Sequence, residues 1–248
     1  MTSWQAPRGR TTLRLAPLRG VRYASRAGDP ADLMFTPPTS WSSVPAALLP
    51  DLDPHHILHL LAPAFGGDPE AGAREARSTL RDWLAAGVMR RDNRPALYVY
   101  EQPGTDAPVR GVIGTVDATS SPAFLDHEEI IEALVQTQQT LEQTLHAHIE
   151  PILALHRAAP SLQSELDDVT STPPDQSIVD PATGTHRLWC VTDTATCAAI
   201  TDAIPDEPCL IADGHHRHAA WHHDALTLLT DVEQPGLRLG AIHRVVAD

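Results

Sequence analysis

Apolar residues fall into short β-branched and aromatic runs at five places in the chain: Ala96–Gln102 (ALYVYEQ), Arg110–Ala118 (RGVIGTVDA), His186–Asp193 (HRLWCVTD), Pro208–Asp213 (PCLIAD) and Leu237–Val246 (LRLGAIHRVV). Such runs predict strands. A shorter one, Pro151–His156 (PILALH), predicts another, and Leu13–Val21 reads as the first element of the fold. Between them the period changes to that of a helix. Glu70–Ala86 sets Ala73, Ala76, Leu80, Trp83 and Leu84 on one face, with Gly87 following as a C′ residue. Glu128–Leu145 carries Ile131, Leu134, Val135, Leu141 and Leu145 at i, i+3/i+4 spacing. Ala195–Ile204 and His216–Leu229 predict shorter helices. Two stretches read as loops: Pro37–Asp53, with four prolines, and Ala158–Thr185, polar and broken by Pro173–Pro174 and Gly184.

Strand and helix alternate without the regular period of a doubly wound fold. The expected class is therefore α+β, or irregular α/β, with a mixed sheet and flanking helices. One domain over residues 1–248 is expected, with 158–185 as a mobile surface insertion or hinge. An apolar fraction of 42% supports a real core, and no apolar run reaches about 18 residues, so no membrane span is expected.

Charge narrows the chemistry. The chain has 32 acidic and 18 basic residues, a net charge of −14, and every basic residue is arginine. The lysine of a Walker A loop, of a pyridoxal Schiff base and of the protein-kinase strand is missing, so those three classes are excluded. An arginine-only set suits bidentate carboxylate or phosphate binding. The acidic balance argues against general nucleic-acid binding. The arginines before residue 30 are not followed by an apolar segment of the secretory type, and three cysteines (Cys190, Cys197, Cys209) form no metal-type pair. A cytoplasmic location is expected.

The ten residues Leu210–Ala219 (LIADGHHRHA) carry the most chemistry. An apolar strand ends in Asp213, Gly214 makes a turn, and a helix begins near His216. A strand-to-helix turn exposes unpaired N–H groups at the positive end of a helix dipole, where phosphate binds. Gly214 lets the backbone come close or take positive φ, and Arg217 can close a bidentate contact on the same anion. His215 and His216 add ring donors. Asp213 is placed to hold a divalent cation or to accept a proton from a substrate hydroxyl. The plain structural alternative is an Asp that caps a helix. His218 and His222 stand i, i+4, a spacing that lets two imidazoles share a metal, but no glutamate lies between them. His55, His56 and His59 form a weaker cluster of the same kind. Asp126-His127-Glu128-Glu129 is either a capping cluster or a source of a general base or ligand. Thr36-Pro37-Pro38-Thr39 fixes an extended loop.

Taken in order, these elements resemble one family, the bacterial and archaeal domain of unknown function 1015 (DUF1015). Leu15–Gly20 stands where its members open with an Arg-Ala-Leu-Arg-Pro-like strand, and Pro37-Pro38 where they have a Pro-Pro-Tyr-Asp loop. Tyr98–Gln102 matches its Tyr-Val-Tyr-Glu-Gln strand. Gly111–Val116 and His127-Glu128 match its Gly-rich strand and His-Glu pair, and His186–Trp189 its His-x-Leu-Trp. Ala212–Arg217 matches Ala-Asp-Gly-His-His-Arg residue for residue, and His243–Val246 its His-Arg-Val-Val. The resemblance spans essentially the whole chain. Thr39-Ser40 replaces the family's Tyr-Asp, and Glu142-Gln143 stands near where Asp-Arg is usual. Members commonly continue past His-Arg-Val-Val, so the resemblance implies the N-terminal portion of the usual length, and a partner chain or second copy in place of the rest.

The Asp-Gly-His-His-Arg segment is also similar to the Asp-Gly-His-x-Arg and Gly-x-x-Arg boxes of the ParB/sulfiredoxin-like superfamily, which includes ParB-like kinases of free serine. This shorter resemblance implies a ParB-like element around Asp213–Arg217. It also implies a nucleotide (ATP or ADP) with Mg²⁺ as cofactors. The expected function is a nucleotide-dependent phosphotransferase acting on a small hydroxylated metabolite such as an amino acid. In it Gly214, His215, His216 and Arg217 hold phosphate, Asp213 binds metal or acts as base, and Glu128 and His127 assist. The alternatives are a non-catalytic nucleotide or phosphometabolite sensor, and a metal-dependent hydrolase using the histidine-rich helix.

Overall fold

In a computed structural model, residues 13–33, 46–117, 124–157, 159–180, 183–221 and 224–238 are described. Their strands are β1 (Leu15–Ala16), β2 (Val21–Tyr23), β3 (Met89–Arg91), β4 (Leu97–Gln102), β5 (Val109–Asp117), β6 (Phe124–Leu125), β7 (Ile152–His156), β8 (Gln176–Asp180), β9 (Gly184–Val191), β10 (Cys209–Asp213) and β11 (Asp224–Asp231). The helices are α1 (Pro30–Leu33), α2 (Leu58–Leu61), α3 (Pro69–Ala86), α4 (Glu132–Leu145), α5 (Pro160–Thr170), α6 (Thr194–Ala203) and α7 (His215–Ala220).

Nine strands form one sheet in the order β6-β10-β7-β11-β5-β4-β9-β8, with β1 beside the far end of β5. The sheet is mixed: β6/β10 and β7/β11 run parallel, and the other pairs run antiparallel. β2 and β3 pair separately. The fold is α+β, as the pattern predicted. One face of the sheet presents Leu97, Val99, Val112, Ile152 and Leu229 to Leu162 and Leu166 of α5 and to Cys197 and Ile200 of α6. α3 packs on α4 through Ala73, Ala76, Leu141 and Leu145, whose small residues let the two helices approach. Gly87 closes α3 at φ 68°, as read, and Asp68, which no sequence signal had singled out, caps its start by accepting from Ala71 N–H at 3.0 Å.

Three expectations are corrected. The helix expected over His216–Leu229 ends at Ala220, where Trp221 turns extended, and Asp224–Asp231 is a strand between β5 and β7. Ala225, Thr227 and Leu229 alternate inward there, a period of two that the leucine content masks. The stretch 158–185, expected as a loop, contains α5, β8 and the start of β9. The helix expected from Glu128 begins at Glu132, so Asp126–Ile131 is an irregular lead-in. The expected Pro37-Pro38 loop and Leu239–Val246 of the last expected strand lie outside the described residues, as does His222, and Leu237 and Arg238 of that segment are not in a strand.

Candidate functional site

β10 carries its apolar side chains Cys209 and Ile211 into the core and ends with Asp213 at the surface, its side chain 72% exposed. Gly214 follows in the left-handed region (φ 97°), and α7 begins at once. A Cβ at 214 would lie 2.9 Å from Arg217 Nη2, 3.0 Å from its Nε and 2.9 Å from Ile152 Cγ2, so only glycine fits both the dihedral and the space. Arg217 lies back over this turn. Its Nη1 donates to Glu150 Oε2 at 3.0 Å, and its Nη2 to Asp213 Oδ2 at 2.5 Å. Its Nε is buried and has no hydrogen-bond partner. Burial pushes the Glu150 carboxyl above its ordinary range; Arg217 opposes the shift and the Asp213 charge adds to it.

The first turn of α7 holds the lead-in to α4 against it. His127 N–H donates to His215 Nε2 at 3.4 Å, and Ile131 N–H to His216 Nε2 at 2.9 Å. The His127 and His215 rings meet edge to face with centroids 4.5 Å apart. With its Nε2 accepting, neutral His215 carries its proton on Nδ1, which faces Glu128 Oε2 at 3.4 Å without forming a hydrogen bond. His215 is buried. Burial and then His127 lower its pKa against the pull of Glu128, Asp126 and Asp213, so the ring is neutral at pH 7. His218 Nδ1 lies 3.5 Å from Asp126 Oδ1.

The residues given phosphate, metal or acid–base roles in sequence lie together around the turn: Asp213, Gly214, His215, His216 and Arg217 from one segment, His127 and Glu128 from another. One central member, Glu150, carries no sequence signal, because it stands singly before Pro151. Glu142 lies at the far end of α7, where its Oε1 accepts from Trp221 Nε1 at 2.8 Å. Among the described residues the histidines do not gather as ligands. His56 Nδ1 accepts from Leu58 N–H, His59 Nε2 meets the Asp53 carbonyl, and His55 faces the Asp53 carboxylate. Among the described residues no three His, Cys, Asp or Glu side chains are grouped to hold one ion. Nor is any described helix long and apolar enough to cross a membrane. Two clefts, of about 390 and 480 Å³, open beside Trp189–Val191 and beside Arg110 and Gln234; neither is lined by the turn.

A mixed sheet ending in a glycine turn clasped by an arginine and two carboxylates defines an α+β protein with a polar centre at a strand's carboxyl end. The chain belongs to the family described as Protein of unknown function (DUF1015), whose model matches residues 15–248. No curated protein and no solved structure matches it.

Proposed function

We propose that the Asp213–Arg217 turn is the phosphate-binding centre of a nucleotide-dependent phosphotransferase acting on a small hydroxylated metabolite. The observation that carries this reading is the unpartnered, buried Nε of Arg217. Nε and Nη2 form one edge of the guanidinium, the edge that grips a phosphate with two parallel hydrogen bonds. That edge lies over Gly214, whose missing side chain leaves the edge uncrowded: a Cβ there would stand 2.9 Å from Nη2 and 3.0 Å from Nε. Glu150 holds the opposite donor, Nη1, and so fixes the plane of the group. An arriving phosphate takes Nε and Nη2 and displaces the exposed Asp213 carboxylate. Freed from Arg217, Asp213 is available to hold Mg²⁺ carried in with the nucleotide, or to accept the proton of the substrate hydroxyl. Mg²⁺ bound there would supply charge neutralisation on the phosphates. Neutral His215, held between His127 and Glu128, orients the lead-in beside the turn. The likeness of Asp213–Arg217 to the ParB-like kinase boxes supports the same reading.

Calorimetric titration with ATP, ADP and CTP in the presence of Mg²⁺ tests it: binding to the wild type that Arg217→Met abolishes is expected, and no binding to the wild type overturns it. Phosphorus NMR with serine and other hydroxylated metabolites then follows transfer, which Asp213→Asn should stop while sparing binding. A second reading, a sensor without turnover, rests on the same phosphate-gripping edge of Arg217 and drops only the transfer step. Binding with no transfer to any hydroxylated acceptor would select it.

A further inference from the structure

A second chemically organised cluster lies on β4, β8 and β9, and none of its residues belongs to the turn. Tyr100 of β4 and His186 of β9 are diagonal neighbours on one face of the sheet, since Tyr100 pairs with Leu188, two residues from His186. Tyr100 Oη and His186 Nδ1 are 2.7 Å apart, and His186 Nε2 and Thr183 Oγ1 are also 2.7 Å apart. The Thr183 hydroxyl donates to Asp180 Oδ2 at 2.7 Å.

The direction of the chain follows from counting hydrogens. The Thr183 hydroxyl has one, and it goes to Asp180, so toward His186 its oxygen accepts. His186 therefore carries its proton on Nε2, and Nδ1 is the acceptor for the Tyr100 hydroxyl. This is a hydroxyl nucleophile, a base within hydrogen-bond reach of it, and a third group orienting the base. Burial, against the pull of Asp180, lowers the His186 pKa and keeps the ring in its basic, neutral form. Burial and then Asp180 push the Tyr100 phenol up to about 12, so its proton leaves only as a new bond forms. The surrounding face is half-buried, with Leu188 opposite Tyr100, Ile178 opposite His186 and Ile113 nearby as its apolar members and Gln176 opposite Leu188 toward the edge.

We propose that Tyr100, His186 and the Thr183–Asp180 pair form an acyl-transfer centre that takes carboxylic esters with a short apolar acyl chain. In the step, Tyr100 Oη forms a bond to the acyl carbon and the ester C–O bond breaks. The phenolic proton passes to His186 Nδ1 and from there to the departing oxygen. Thr183 and Asp180 are positioning residues: they hold the imidazole in the Nε2–H form.

The probe is p-nitrophenyl butyrate on the full chain, with p-nitrophenol release followed by absorbance and the butyryl group located by mass spectrometry of peptides. The label is expected on Tyr100, and His186→Ala should slow its appearance by at least roughly 100-fold, the scale of general-base assistance. Should that variant fail to fold, Thr183→Val and nitrogen-15 NMR carry the test. Wild-type His186 is expected as the neutral Nε2–H tautomer at pH 7.5, and Thr183→Val should lose that preference and slow labelling. A wild-type Nδ1–H tautomer, labelling confined to residues other than Tyr100, or a Tyr100 rate indifferent to His186 and Thr183 each overturns the proposal.

Discussion

Replacing Arg217 by methionine is expected to cost the fold heavily, and the cost is expected to depend on Glu150. The Arg217 and Glu150 side chains are 12% and 24% exposed, so the pair is mostly but not wholly withdrawn from water. Removing one partner of a fully buried pair costs about 3–5 kcal/mol because the other charge is left uncompensated. Partial exposure of Glu150 reduces this to about 2–3 kcal/mol, a fall in melting temperature of roughly 5–10 °C for a chain of this size. The penalty belongs to the ionised carboxylate. Burial already raises the pKa of Glu150 in the folded state, and loss of Arg217 raises it further. A folded pKa above the unfolded one means that stability is greatest below the unfolded value and declines as pH rises through the folded one. The deficit of Arg217→Met should therefore be full at pH 8 and shrink toward pH 4.5. Urea denaturation of wild type, Arg217→Met, Glu150→Gln and the double variant at both pH values measures it. In the Glu150→Gln background the methionine substitution should cost at least 1 kcal/mol less than in wild type. Equal costs in the two backgrounds, or a deficit that does not change with pH, would refute the reasoning.

Three further outcomes follow from other parts of the molecule. Glu101 accepts from Arg110 at 2.7 Å and from Arg187 at 2.5 Å; burial raises its pKa, but the two guanidiniums lower it more, and the net shift is downward. Its contribution is present above the ordinary carboxylate range and lost as pH falls through the folded value, so Glu101→Gln should cost about 1–3 kcal/mol at pH 7 and progressively less in acid, by denaturant titration. Tyr98→Phe removes a buried hydroxyl that donates to Asp92 Oδ2 at 2.7 Å and accepts from Gly20 N–H at 2.8 Å, so about 1–3 kcal/mol should be lost by the same assay. Asp68→Ala should cost about 1 kcal/mol, the value of a helix N-cap, and Asp68→Ser much less.

Most of this architecture was legible where local preference and burial agree. The strands at Leu97–Gln102 and Val109–Asp117 and the long helix Pro69–Ala86 follow from period and, for the helix, from its closing glycine, because each such signal acts within a few residues. The turn at Asp213–Arg217 was legible for the same reason: strand, glycine and polar helix start are adjacent in the chain. β11 was not. Its leucines suit a helix as well as a strand, and hydrogen bonding from β5 and β7 on both sides decides for the strand.

The sequence by itself determined the exclusion of lysine-based phosphate chemistry, the α+β class, the family and the glycine at position 214. These depend on residue identity and near-neighbour spacing. The tertiary structure alone decided what Arg217 touches and where its free donor points. Glu150 reaches Arg217 across 67 positions, and Glu128 reaches His215 across 87. Partnerships over such separations arise from which strands lie side by side, and no local pattern records that.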